Sequence, residues 1–197
     1  MSRVLMVVTI FSFVWGNLCY AQDTNQDQST DLISGDESLG LIHFIEIHVD
    51  DQVSGGCWTN VNQIRKNVRL KLEQSGIETA KKLLWEGPYG ATLIIDVIGY
   101  RTEKTNVCVG YLNVSLVNYR AESFGYYGEY EIYRRYLLYQ KAGIMTSGDN
   151  LNTMIKKDVD GYVSELAAKI IRNRGNEPIK KILKSYPIEA NKPKIAE

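Results

Sequence analysis

The chain has 197 residues, 44% of them apolar, with 23 Lys+Arg set against 23 Asp+Glu and three cysteines. That balance excludes a general electrostatic pull toward nucleic acid. The length allows one domain with a sizeable core.

Residues 1–21 read as an export signal. Arg3 is the only charge in the first 22 residues, Val4 to Trp15 is an apolar run, and Gly16 to Ala21 is small and polar. A basic start, a short apolar run and a small-residue end are the order of a secretory leader, with cleavage expected after Ala21. The apolar run is 12 residues, short of the ~20 that a membrane-spanning helix needs. An N-terminal anchor and a lipid on Cys19 are the alternatives, the second opposed by the bulky Leu18 before that cysteine. Cleavage removes Arg3 and Cys19 and leaves 22 Lys+Arg against 23 Asp+Glu, a net charge of −1. The expected product is periplasmic or secreted, with no transmembrane span.

Residues 22–40 carry Asp23, Asp27, Asp31, Asp36 and Glu37 and no base. Such a segment reads as an acidic, unstructured linker. Residues 176–197 carry five lysines and read as a basic flexible tail. Residues 41–175 are then a single domain.

Its first strand is Leu41 to Val49, with Ile45, Ile47 and Val49 on one face and Glu46 and His48 on the other. Asp50, Asp51, Gly55 and Gly56 break it. Thr59 or Asn60 is positioned to cap a helix whose stripe is Val61, Ile64, Val68 and Leu72, closed by Gly76 and Ile77. Thr79 to Trp85 is expected as a short helical turn and Glu86 to Gly90 as a loop. Ala91 to Tyr100 is a β-branched strand. Val107 to Tyr119 alternates, with Cys108, Gly110, Leu112, Val114 and Leu116 opposite Tyr111, Asn113 and Ser115. Ile132 to Thr146 is a fourth strand, with a bulge expected at Gly143. Ser147 to Asn150 turns into a long helix with Leu151, Ile155, Tyr162, Val163, Leu166, Ile170 and Ile171 as its stripe. The order β-α-β-β-β-α predicts a two-layer α+β sandwich, a four-stranded mixed sheet with two helices on one face.

This order predicts a disulfide. With the first strand running up, a crossover brings the second strand up beside it. Cys57 then leaves the top of the first strand, and Cys108 follows the top turn between the second and third. An oxidising compartment and an even number of remaining thiols favour the bond. Two buried thiols, or a reactive Cys57 at a helix start, are the alternatives.

No reaction is legible. The chain has no G-x-S-x-G, H-E-x-x-H, P-loop or G-x-G-x-x-G motif. His43 and His48 fall on opposite strand faces, so no metal or cofactor is implied. Asp96 with Glu46, or His48 with Asp50, are the side chains a secreted hydrolase would use. Eight of the 13 tyrosines fall between Tyr111 and Tyr139. Tyrosine and arginine are the residue types that anchor interfaces. Tyr111, Tyr119, Phe124, Tyr126, Tyr127, Tyr130 and Arg134 are therefore the candidate partner-binding residues. The competing expectation is plain cross-strand aromatic pairing. Asn113-Val114-Ser115 matches the N-glycosylation sequon.

Over residues 41–174 the order β-α-β-β-β-α, after an export signal, resembles small bacterial envelope domains. Examples are the N-terminal domain of the Tol-Pal translocation protein and the related domain of the curli secretion lipoprotein. The expected function is a non-enzymatic module that binds a protein or envelope component through the open sheet face and the tyrosine-rich hairpin, with a secreted hydrolase or a subunit of an envelope assembly as the alternatives.

Overall fold

The computed structural model describes residues 34–85, 87–124, 130–192 and 194–195. The fold is α+β, built on a mixed five-stranded sheet. The elements are α1 (Gly35–Ser38), β1 (Phe44–Val53), α2 (Val61–Gln74), β2 (Glu78–Ala80), β3 (Leu83–Trp85), β4 (Gly90–Arg101), β5 (Cys108–Phe124), β6 (Tyr130–Ser147), α3 (Asn152–Arg174), α4 (Glu177–Ser185) and β7 (Lys194–Ile195). The sheet order is β2-β1-β4-β5-β6, with β2 and β4 parallel to β1 and the rest antiparallel.

The fifth strand is β2. It was expected as a helical turn, because Glu78-Thr79-Ala80 is too short to show alternation. Its register is fixed by its neighbour, with Phe44, Ile45 and Glu46 opposite Glu78, Thr79 and Ala80. From β2 the chain must cross β1 to begin β4 on the other side. It does so on the helix-free face, where the Leu83 amide donates to Glu46 Oε2 at 2.7 Å. There β3 pairs with β7. The lower part of that face is therefore covered, and Val117, which points into it, is fully buried.

The other face carries the main core. Ile45, Val49, Ala91, Leu93, Ile95, Val97, Leu112, Val114 and Leu116 meet Ile64, Val68 and Leu72 of α2 and Ile155, Val159, Val163, Leu166 and Ile170 of α3. Val159 and Ala167 join the buried stripe of α3, whereas Ile171, assigned to it from spacing, is 47% exposed. At the end of α2 the expected stop forms: Gly76 sits at φ 69° and the Ile77 amide donates to Leu72 O at 3.0 Å.

The two flanking segments are not bare tails. Glu177–Ser185 forms α4, with Pro178 in its first turn and Ile179 buried. Its lysines lie on the outer side of an amphipathic helix, and lysine counting alone hid the apolar side. At the other end, Leu39 and Ile42 are buried, and a Cβ on Gly40 would lie 2.6 Å from the Asn173 carbonyl carbon. The end of the acidic segment is thus seated on the end of α3.

The bulge in β6 forms not at Gly143 but five residues earlier in the strand. Leu116 pairs with Tyr139 and Val117 with Leu137, which leaves Leu138 as the extra residue. Gly143 stays in register with Leu112. Its missing side chain instead leaves room for the Tyr162 hydroxyl, 3.3 Å from where a Cβ would stand. Gly99 and Gly110 face each other across β4 and β5 where Leu151 presses on the sheet.

Candidate functional site

The loop between β1 and α2 is a structural knot. Cys57 and Cys108 form a disulfide with Cα atoms 5.7 Å apart, and both residues are fully buried. The Leu151 amide donates to Cys57 O at 2.8 Å. Thr59 and Asn152 exchange two hydrogen bonds, from the Thr59 amide to Asn152 Oδ1 and from Asn152 Nδ2 to Thr59 Oγ1. Neither Thr59 nor Asn60 caps α2 with its side chain. Asn60 Oδ1 instead accepts from the Trp58 indole at 2.7 Å, which satisfies the donor of a buried ring. Arg101 gathers the loops at this end by donating to Gly55 O, Asn106 O and Asp149 O. Gly55 and Gly56, both at φ 68°, let the backbone turn beneath it.

The helix-free face divides into bands. Along β1, Glu46, His48, Asp50 and Gln52 point to it, registered with Thr92, Ile94, Asp96 and Ile98 of β4. The carboxylate beside Asp96 is thus Asp50. Glu46 is four residues further along β1, about 13 Å at strand rise, and is engaged by the Leu83 amide. The structure does not bring Glu46 to Asp96. Asp50 Oδ2 accepts from Gln52 Nε2 at 2.7 Å, and Asp96 Oδ2 accepts from Asn113 Nδ2 at 3.2 Å. Gln140 Nε2 in turn donates to Asn113 Oδ1 at 2.8 Å. This band is an amide-buffered pair of acids. Among the described residues no group of three or more His, Cys, Asp and Glu side chains is placed to hold a metal ion. Asn113 lies mid-strand with its side chain engaged on both sides, and Ser115 is buried. The sequon therefore offers no free acceptor in the folded domain.

Above that band lies an apolar row. Ile98, Tyr111 and Ile144 are cross-strand neighbours on β4, β5 and β6, with exposures of 49%, 41% and 80%. Tyr100, also exposed, sits one register further on.

No protein-family model and no curated protein matches this chain. Any functional reading therefore rests on its own residues.

The tyrosine-rich candidates do not form one cluster. Beyond Val117 the β5–β6 hairpin leaves β4 behind and continues as a two-stranded ribbon. Tyr111 and Tyr119 point to the same side but lie eight residues apart, about 26 Å. Arg134 points to the other side, where it pairs with Glu122 at 3.0 Å. Tyr136 donates to the same carboxylate, and the Arg120 guanidinium sits 5.7 Å from the Tyr136 ring centre. Phe124 and Tyr130 are register partners at the ribbon end. Tyr126 and Tyr127 lie outside the described residues. Tyr139, the last of the run, is a core residue whose hydroxyl donates to Tyr162 O at 3.0 Å and whose pKa is raised, chiefly by burial.

Sequence reasoning missed a polar cluster at the lower end of the core. His43 packs edge-on against Tyr89, ring centres 6.1 Å apart. Arg174 donates to Gly76 O at 3.1 Å and Ile42 O at 2.8 Å. Burial, followed by the Arg174 charge, pulls the His43 pKa down to about 4. The only signal in the sequence was Arg174 at a helix C-terminus, which reads as a dipole partner; here it turns inward instead.

Proposed function

We propose that this is a non-enzymatic protein-binding module of an exported compartment, which takes a partner on the upper helix-free face and on the β5–β6 ribbon. The observation that carries it is the row Ile98, Tyr111 and Ile144. These are three large apolar side chains side by side on a sheet face, where a monomer ordinarily places polar ones. Tyr100 beside the row and Tyr119 and Tyr133 on the ribbon, all exposed, extend the aromatic surface. The Cys57–Cys108 bond and the leader-like residues 1–21 support a periplasmic or secreted location. Among the described residues no helix is long and apolar enough to cross a membrane.

For the hydrolase alternative, Asp96 stands beside Asp50 rather than Glu46, and His48 shares that face with Asp50, but both aspartates are already served by amide donors. A role as an envelope assembly subunit is compatible with the same apolar row.

The test is partner capture from an extract of the source organism. Ile144→Glu with Tyr111→Ser is expected to abolish capture with the thermal midpoint preserved. Tyr126, Tyr127 and Tyr130 changed together to Ser form a second arm for the ribbon. Undiminished capture by both variants would exclude this surface.

A further inference from the structure

A second, differently built surface lies at the opposite edge of the sheet. β2 pairs only with Phe44–Glu46. Above it, Ile47–Val53 of β1 forms the sheet edge among the described residues, with its outward backbone groups free of a strand partner and only the Val53 amide engaged, by the Asp51 side chain.

α2 overhangs that edge with a cationic flank. Its Lys71 side reaches α3, bonding to Asp160 O and Ser164 Oγ. The opposite flank faces β2, where Glu73 accepts from the Thr79 hydroxyl. One to three turns above Glu73 on that flank stand Asn62, Arg65, Lys66 and Arg69, spaced i, i+3, i+4 and i+7. They line a groove of about 320 Å³. None of the three cations has an acidic partner among the described residues. Lys81 and Lys82, both exposed, follow β2 at the lower end of the same edge.

We infer that the upper edge of β1 accepts an extended acidic peptide of a partner protein as an added strand, with carboxylates two residues apart meeting Arg69 and Arg65. The dimensions agree. Arg65 and Arg69 are separated by about 6 Å of helix rise, and side chains i and i+2 of a strand by about 6.7 Å. α2 runs antiparallel to β1, and Glu73 marks the level of Ile45 through Thr79. Arg69 therefore stands near the level of Ile47, and Arg65 near that of Val49. A strand continuing the line of β2 places alternate side chains under these two guanidiniums. Its backbone pairs with β1, and its carboxylates supply the missing counter-charges. Asp51, on the same side of β1, already accepts from the Val53 amide at 3.0 Å.

The test is fluorescence anisotropy of the full chain with a labelled synthetic peptide, Thr-Glu-Val-Glu-Val-Thr. Saturable binding is expected, weakened about tenfold or more by Arg65→Glu with Arg69→Glu. A peptide with Lys in place of Glu is expected to bind that double variant better than it binds the native chain. N-methylation of alternate peptide amides is expected to abolish binding, because it blocks strand addition and leaves the charges intact. Equal binding of the N-methylated peptide would reduce the contact to charge alone and overturn the inference, as would indifference to the arginine changes. Changing Asp23, Asp27 and Asp31 to Asn in the full chain should leave affinity unaltered. A large gain would instead assign the groove to the chain's own acidic segment. A dimer that dissociates on adding peptide would assign it to a second copy.

Discussion

Removing the Cys57–Cys108 bond gives the most quantitative test of the fold. The cysteines are 51 residues apart in sequence. In the chain-entropy account, releasing a loop of that length costs about 4 kcal/mol, nearly all of it through the unfolded ensemble. The native ends do not spring apart. Arg101, the Thr59–Asn152 pair and the Leu151–Cys57 bond hold the same loops together. Cys57→Ala with Cys108→Ala adds a small void, since both side chains are fully buried, worth ~1 kcal/mol. Reduced native chain, which keeps both sulfurs, separates the two effects. Urea unfolding at pH 7 is expected to show a loss of about 4 kcal/mol on reduction and about 5 in the double variant. With a urea slope of ~2 kcal/mol/M this lowers the midpoint by about 2 M. A loss below ~1 kcal/mol at unchanged slope would refute the reasoning, because it would mean the unfolded chain is already as confined as the cross-link makes it.

His43 makes stability depend on pH. Its folded pKa of about 4 lies below the ordinary 6.5, so the unfolded chain takes up the proton first as pH falls. The contribution is complete above about pH 6.5 and drains away toward pH 4, by at most about 3 kcal/mol for this half-buried group. The stability difference between native chain and His43→Gln, followed from pH 7 to 4, reports it; a flat difference refutes it. Gly110→Ala would put a Cβ 2.6 Å from Leu151 Cδ1; a loss of about 1–3 kcal/mol is expected in denaturant unfolding. Arg101→Ala removes the donor shared by Gly55 O, Asn106 O and Asp149 O; it is expected to cost about 1–3 kcal/mol and to speed reduction of the disulfide by a small thiol.

What the sequence disclosed and what it hid follow from periodicity. The faces of β1 and β5 were readable because a sheet buried on one side imprints a two-residue alternation. The order of the elements and the sense of the crossover placed Cys57 and Cys108 at one end. β2 was hidden because three residues carry no period and owe their conformation to β1. α4 was hidden because its apolar side is short and its lysines dominate the composition. The stripe of α3 was read one position too far at Ile171, since spacing alone does not say where a helix leaves the core. Covering of the lower helix-free face could not be foreseen, because it depends on the 81–85 segment crossing β1. The candidate site was legible only in part. Tyrosine counting found Tyr111 and Tyr119 but missed Ile98 and Ile144, which become a patch only through cross-strand register.

The two helices are fastened at both ends by unlike chemistry. At the top, the Cys57–Cys108 bond ties the loop before α2 to the start of β5, and Arg101 ties the same loop to the turn that enters α3. At the bottom, the Arg174 guanidinium ties the end of α3 to the carbonyl of Gly76, just past α2, and to that of Ile42, just before β1. A helix pinned at a single end can pivot or slide by a turn; pinned at both, it is denied either motion. α2, α3 and β1 therefore transmit load as one rigid plate. Tension on the projecting β5–β6 ribbon would be spent in bending the ribbon before it shifted the helices.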